Sequence, residues 1–208
     1  MKKRIISIFL ALTMLLLLPL STSCALFKGP ISDEQLREML TELLPKDAEL
    51  TGYIWGDSFT TAKQPEEDDY DAYAPIYYAV SADAPYKSVK ALKSEVEKIY
   101  SSELTQIICE YAFESSDLVM SRFCDDVDDK GNVIGLRMDV TKNHKPYELT
   151  AVAIISTAKV KRSTNFMVEG TLTIKAGKAQ TEREMKIKLL KENDVWKIDS
   201  QTWLAGVE

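Results

Sequence analysis

The stretch Asn165-Phe166-Met167-Val168-Glu169-Gly170-Thr171-Leu172-Thr173-Ile174-Lys175 decides the fold class. Phe166, Val168, Gly170, Leu172 and Ile174 fall on one side of a two-residue repeat, with polar residues and Met167 on the other. That pattern predicts a strand with one buried and one wet face. The next segment repeats it: Met185, Ile187 and Leu189 alternate with Glu184, Lys186 and Lys188. Glu192-Asn193-Asp194 then turns the chain into Val195-Trp196-Lys197-Ile198-Asp199-Ser200. Upstream, strands are predicted at 117–124, 132–140 and 147–159, joined by Asp128-Asp129-Lys130-Gly131-Asn132 and by Asn143-His144-Lys145-Pro146.

Before Asp117 the period is helical. Ser32-Asp33-Glu34-Gln35 is a capping-box start, and Leu36, Met39, Leu40, Leu43 and Leu44 follow at helical spacing until Pro45, where the helix is expected to stop. Residues 50–56 and 76–82, rich in aromatic and β-branched side chains, are expected to be short strands. Val89, Leu92, Val96 and Ile99, then Leu104, Ile107, Ile108 and Tyr111, predict two consecutive helices broken at Ser101-Ser102. Helices first and a meander of antiparallel strands second make an α+β domain over residues 32–208.

The N-terminus supplies an address. Lys2, Lys3 and Arg4 precede an apolar run from Ile5 to Leu20, followed by the small residues Ser21, Thr22 and Ser23. Residues 1–23 are therefore expected to be a secretory signal peptide, since the run is short for a membrane span. Leu20-Ser21-Thr22-Ser23-Cys24 resembles the lipobox of bacterial lipoproteins, in which the cysteine is lipidated and becomes the new N-terminus. The alternative is an ordinary cleaved signal with an incidental cysteine. With lipid on Cys24, residues 24–31 are a tether, and the protein sits on a membrane from outside the cytoplasm.

Composition narrows the partners. The chain carries 26 basic and 32 acidic residues, a formal charge of −6, and removal of Lys2, Lys3 and Arg4 takes it to −9. Nucleic acid is excluded, because phosphate neutralisation needs a basic footprint. One histidine and three cysteines leave no material for a histidine metal cluster or a histidine-based triad. Cys109 and Cys124, 15 residues apart, pair as a disulfide or stay as two buried thiols; both readings stand.

A resemblance adds to this. The ending Lys188-Leu189-Leu190-Lys191-Glu192-Asn193-Asp194-Val195-Trp196-Lys197-Ile198-Asp199-Ser200 resembles the last hairpin of the nuclear-transport-factor-like, cystatin-like superfamily. The resemblance implies a cone-like curved antiparallel sheet wrapped around the N-terminal helices. Tyr53-Ile54-Trp55, Tyr77-Tyr78-Ala79-Val80, Tyr86 to Lys93 and Tyr100 to Leu104 are similar to secreted relatives of the inhibitor family of cell-wall D,L-endopeptidases. The likeness spans roughly residues 48–204 and implies a protein that binds and inhibits rather than catalyses.

The chemistry-bearing candidates are few. Asp126 to Gly131 has acids at positions 1 and 3 and glycine at 6 of a calcium loop, but Lys130 at 5 and Arg137 at 12 point to a hairpin turn instead. His144 lies between Lys142 and Lys145, whose charges lower an imidazole pKa rather than prepare a base. No catalytic residue, metal or cofactor is expected. Some enzymes of the resembled superfamily use an Asp base and Tyr donors inside the cone, for which Tyr53, Asp57, Tyr77, Tyr78 and Trp203 are the positions to inspect. Two surfaces remain for binding. Lys63 to Pro75 carries five acids and one base, and Glu66, Glu67, Asp68, Asp69, Tyr70, Asp71 and Tyr73 would form a docking loop for a basic partner. Alternatively, Tyr53, Trp55, Tyr77, Tyr78, Trp196 and Trp203 would line a small-molecule or peptide site inside the cone.

Overall fold

The computed structural model describes residues 30–56, 58–68, 74–114, 120–141, 151–177 and 179–208. The signal segment 1–23, Cys24, most of the tether, Asp57, Asp69, Tyr70, Asp71, Tyr73 and His144 lie outside the described residues. Helix α1 runs Asp33–Ile54. Its start is the expected capping box, with Gln35 N–H donating to the Ser32 hydroxyl at 3.3 Å and Ser32 N–H donating to Gln35 Oε1 at 2.8 Å.

Its end corrects the sequence reading. Pro45 sits inside the helix, and the expected strand over 50–56 is its last turn, capped at Trp55. A proline in a helix interior costs about 3 kcal/mol. Here Pro45 and Thr41 both face solvent, so the carbonyl that Pro45 cannot pair is on the wet side. Burial of Leu50 and Ile54 beyond it returns roughly 1.5–3 kcal/mol each, enough to carry the helix through.

Helices α2 (Val89–Ile99) and α3 (Ser102–Phe113) are the two predicted ones, capped by Ser88 and Ser101. Strands β1 (Tyr77–Ala79), β2 (Phe123–Val127) and β3 (Val133–Asp139) make a three-stranded antiparallel sheet in the order β1-β3-β2. Strands β4 (Ala151–Ser163), β5 (Met167–Ala176), β6 (Thr181–Glu192), β7 (Val195–Ile198) and β8 (Leu204–Val207) make a second sheet ordered β7-β6-β5-β4-β8. The β6-β7 turn places Asn193 and Asp194 at φ 50° and 64°, the pair of positive angles a type I′ hairpin needs.

Three further expectations are corrected. The sheet was expected to be antiparallel throughout, yet β8 lies parallel to β4, so the larger sheet is mixed and strongly curled. The strand expected at 117–124 begins at Phe123 instead. Phe166, placed on the buried face by its parity, precedes β5 and is 69% exposed.

The curl has a local cause. The β4-β5 register slips between Ile154 and Lys159 and again between Val160 and Arg162, and such bulges bend a strand. Side chains take up backbone donors at both slips. The Thr157 hydroxyl accepts the Thr173 N–H at 2.7 Å and donates to the Ile154 carbonyl, while Asp33 at the start of α1 accepts the Val160 N–H at 2.7 Å. Helix α1 lies against β4 and β8, and Leu36, Leu40, Leu44 and Ile54 meet Leu172, Ile187, Leu189 and Leu204 in one buried core.

Candidate functional site

Reading α1 as one helix puts Asp47 on its apolar stripe, between Leu44 and Leu50. The carboxylate is buried at 1% exposure and faces two hydroxyls from distant parts of the chain. Tyr100, at the junction of α2 and α3, donates to Asp47 Oδ1 at 2.8 Å, and Thr202, between β7 and β8, donates to Oδ2. Burial pushes the Asp47 carboxyl up to about 6, against the downward pull of the Thr202 and Tyr100 hydrogen bonds. Burial, with the neighbouring carboxylate, also holds the Tyr100 phenol well above its ordinary value. The cluster pins α1, the helix junction and the β7-β8 connection to one point.

Beside it, Trp55 stacks on Tyr111 at 4.2 Å and meets Trp203 edge-on at 4.9 Å. Trp203 holds φ at 54°, in the left-handed region a bulky residue seldom adopts. Together with Asp47, Thr51, Tyr100 and Leu104, the two tryptophans bound a cleft with about 20 Å³ of free space, room for one water. A carboxyl that titrates near 6 has the right basicity for a general base. Both of its oxygens are taken by hydroxyls, and the cleft as it stands has no volume for a substrate.

The structure divides the six aromatic residues expected to line an interior site. Trp55 and Trp203 border the Asp47 cleft. Tyr53 packs instead on Phe59 at 4.5 Å and Tyr86 at 5.4 Å. Tyr77 donates to the Ser121 carbonyl, Tyr78 sits at the edge of the small sheet under Lys63, and Trp196 lies half-buried on β7 opposite Lys191. Asp47, Tyr100 and Thr202 escaped the sequence reading, because a helix stopped at Pro45 has no reason to bury residue 47. Continuing the spacing of Leu40, Leu43 and Leu44 through the proline would have found Asp47.

The acidic loop starts on the edge of the small sheet. Thr61 bridges to Val80, and the ammonium of Lys63 lies 5.1 Å from the Tyr78 ring centroid and 2.8 Å from the Glu66 carboxylate. Glu66, Glu67 and Asp68 are exposed, as a docking loop requires. The β2-β3 hairpin of the same sheet adds a surface the sequence reading missed. Asp128 accepts N–H groups of Lys130 and Asn132 at 2.9 and 2.8 Å, and Gly131 takes φ 81°, so the calcium-like stretch is the expected turn. Beyond the core, this hairpin leaves Val127, Val133 and Ile134 exposed by 53%, 49% and 65%. Ile134 is on the same side of β3 as buried Leu136 and Met138, yet stands exposed among the described residues.

Cys109 on α3 and Cys124 on β2 are free, half-buried thiols, each pushed up in pKa by burial. Among the described residues no helix is long and apolar enough to cross a membrane. Comparison of the chain with protein-family models and with curated proteins returns no match.

Proposed function

We propose that this chain is an extracytoplasmic lipoprotein, anchored through Cys24, that acts by binding another protein through its three-stranded sheet. The larger sheet, curled over α1, is in this reading a cone-like roll of the nuclear-transport-factor-like, cystatin-like kind. The observation that supports the reading most is the β2-β3 hairpin. Val127, Val133 and Ile134 stand uncovered there, with Asp126, Asp128 and Asp129 beside them and the Glu66-Glu67-Asp68 edge on the same sheet. Apolar anchors rimmed by charge are what a docking surface needs, the carboxylates steering a basic partner and the aliphatic groups holding it. The partner class that the sequence resemblance suggests is a cell-wall D,L-endopeptidase, whose catalytic cleft the bound protein would occlude.

Purified residues 25–208 are expected to suppress muropeptide hydrolysis by such an enzyme at micromolar concentration, less so as salt is raised. Ile134→Lys with Val133→Lys should weaken suppression at least tenfold. Neutralising Glu66, Glu67 and Asp68 should slow association and flatten the salt dependence. Unchanged hydrolysis at micromolar protein would remove the endopeptidase assignment.

A second reading, a small ligand held inside the fold, has one observation in its favour: Asp47 facing Tyr100 beside Trp203. The cleft has room for one water, so a ligand there has to move the Trp203 side chain, which borders it beside Trp55; tryptophan fluorescence should change on binding and Trp203→Ala should reduce the change. Fluorescence titration against muropeptide fragments checks it.

A further inference from the structure

The turn between β4 and β5 is tightly built and holds a phenylalanine ring out towards solvent. The Thr164 N–H donates to the Met167 carbonyl, and the Thr164 hydroxyl accepts the N–H groups of Phe166 and Met167 at 3.2 and 3.1 Å. The Phe166 carbonyl accepts the Lys191 N–H at 2.8 Å. None of these bonds uses the side chain at position 166, and all would form with serine there, yet the chain presents a phenylalanine at 69% exposure. Val195, which starts β7 at the same end of the sheet, is exposed by 52%. Lys161 and Arg162 are exposed on the last residues of β4.

The same end receives the chain's N-terminus. Ile31 N–H donates to the hydroxyl of Ser163, the last residue of β4, at 2.9 Å. From Ile31 back to Cys24 is seven residue steps, which span at most about 25 Å even when fully extended. A bilayer holding Cys24 is therefore within reach of the turn that carries Phe166.

We propose that the end of the larger sheet formed by the 163–167 turn and the start of β7 is a membrane-docking face, with Phe166 and Val195 entering the lipid interface and Lys161 and Arg162 meeting anionic headgroups. The inference rests on the lipid anchor at Cys24. Aromatic and aliphatic side chains on a rigid turn gain at the headgroup boundary what they lose in water, and basic residues beside them are drawn to an anionic leaflet. The docked face then holds the domain in one orientation on the membrane, with the tether keeping it within reach.

The test uses residues 24–208 with Cys24 coupled to a maleimide-bearing lipid in vesicles of phosphatidylethanolamine and phosphatidylglycerol containing brominated acyl chains. Cys24→Ser under the same conditions measures coupling through Cys109 and Cys124. Against the parent protein, the added indole of Phe166→Trp should be quenched by more than half and shifted to the blue. That of Val133→Trp, on the β2-β3 hairpin, should be neither. An unquenched, water-like indole at position 166, equal quenching at both positions, or a dimer in vesicle-free solution that Phe166→Ser dissociates would each overturn the proposal. Palmitate labelling of the full chain in a bacterium, with Cys24→Ser as control, reads the anchor separately. No label removes the anchor and the docking face with it; a labelled Cys24 with a wet indole overturns the docking face alone.

Discussion

Asp47→Asn is expected to fold more stably than the natural chain at pH 8, by about 2–3 kcal/mol, and to lose that advantage at pH 4. The size follows from the displacement of the Asp47 carboxyl from its ordinary 3.8 to about 6, at about 1.4 kcal/mol per unit. The sign follows from linkage. The folded-state pKa lies above the unfolded one, so the group's contribution is fully present below about pH 3.8, is lost as the pH rises through about 6, and stays lost above that. Asparagine keeps an acceptor for Tyr100 and never ionises, so subtracting its stability curve from that of the natural chain isolates this one carboxyl. Urea unfolding at half-unit steps from pH 4 to pH 8 measures the difference. A gap that does not change with pH, or an Asn variant weaker at pH 8, would show that the carboxylate is better solvated than its 1% exposure implies.

The expected gain has a bearing on function. A chain that would fold better with asparagine carries aspartate at a point where three parts of the fold meet beside an exposed, left-handed Trp203. Stability surrendered at a buried ionisable group is a common mark of a working site. Here the group also ties the β7-β8 connection to α1, so its ionisation and the hold on Thr202 are coupled.

Where the sequence was legible, one physical signal acted alone. In β5 and β6 the parity of Val168, Gly170, Leu172, Ile187 and Leu189 placed each of them on the core side, because side chains alternate with a period of two. The opposite face of β5, expected to be wet, is half-buried, and Thr171 on it is buried. The break read at Ser101-Ser102 is where α3 starts, with Ser101 capping it as Ser32 caps α1. It was illegible where two signals competed. Pro45 outweighs the apolar spacing in the sequence, and the reverse holds in the fold, where the gain from burying Leu50 and Ile54 is a tertiary quantity. The four-residue β8, Leu204–Val207, has a parallel partner 53 residues upstream and no turn to announce it. Of the docking candidates, the charge of Glu66, Glu67 and Asp68 could be read directly. The exposure of Val127, Val133 and Ile134 could not, since an apolar strand end reads as core until its neighbour is found missing.

Gly170→Ala is expected to cost about 2–4 kcal/mol, a large fraction of a domain's margin, from a single added methyl. In β5 a Cβ at this position would stand 2.7 Å from Cδ2 of Leu36 on α1 and 2.8 Å from the carbonyl oxygen of Lys159 on β4. The leucine methyl can rotate away. The carbonyl cannot, because Lys159 lies between the two register slips whose donors are already held by Thr157 and Asp33. Helix α1 reaches the curled sheet so closely because this one position has no side chain. Pairing the change with Leu36→Ala separates the two contacts: the double variant should remain less stable than Leu36→Ala alone, since only the softer obstacle has gone. Gly206→Ala is the matched control, with no atom within 4 Å of the new methyl, and should be neutral or slightly stabilising through the unfolded chain. If urea midpoints put Gly170→Ala within about 0.5 kcal/mol of the natural protein, α1 does not sit on β5 at this distance and the packing of helix on sheet described above is wrong.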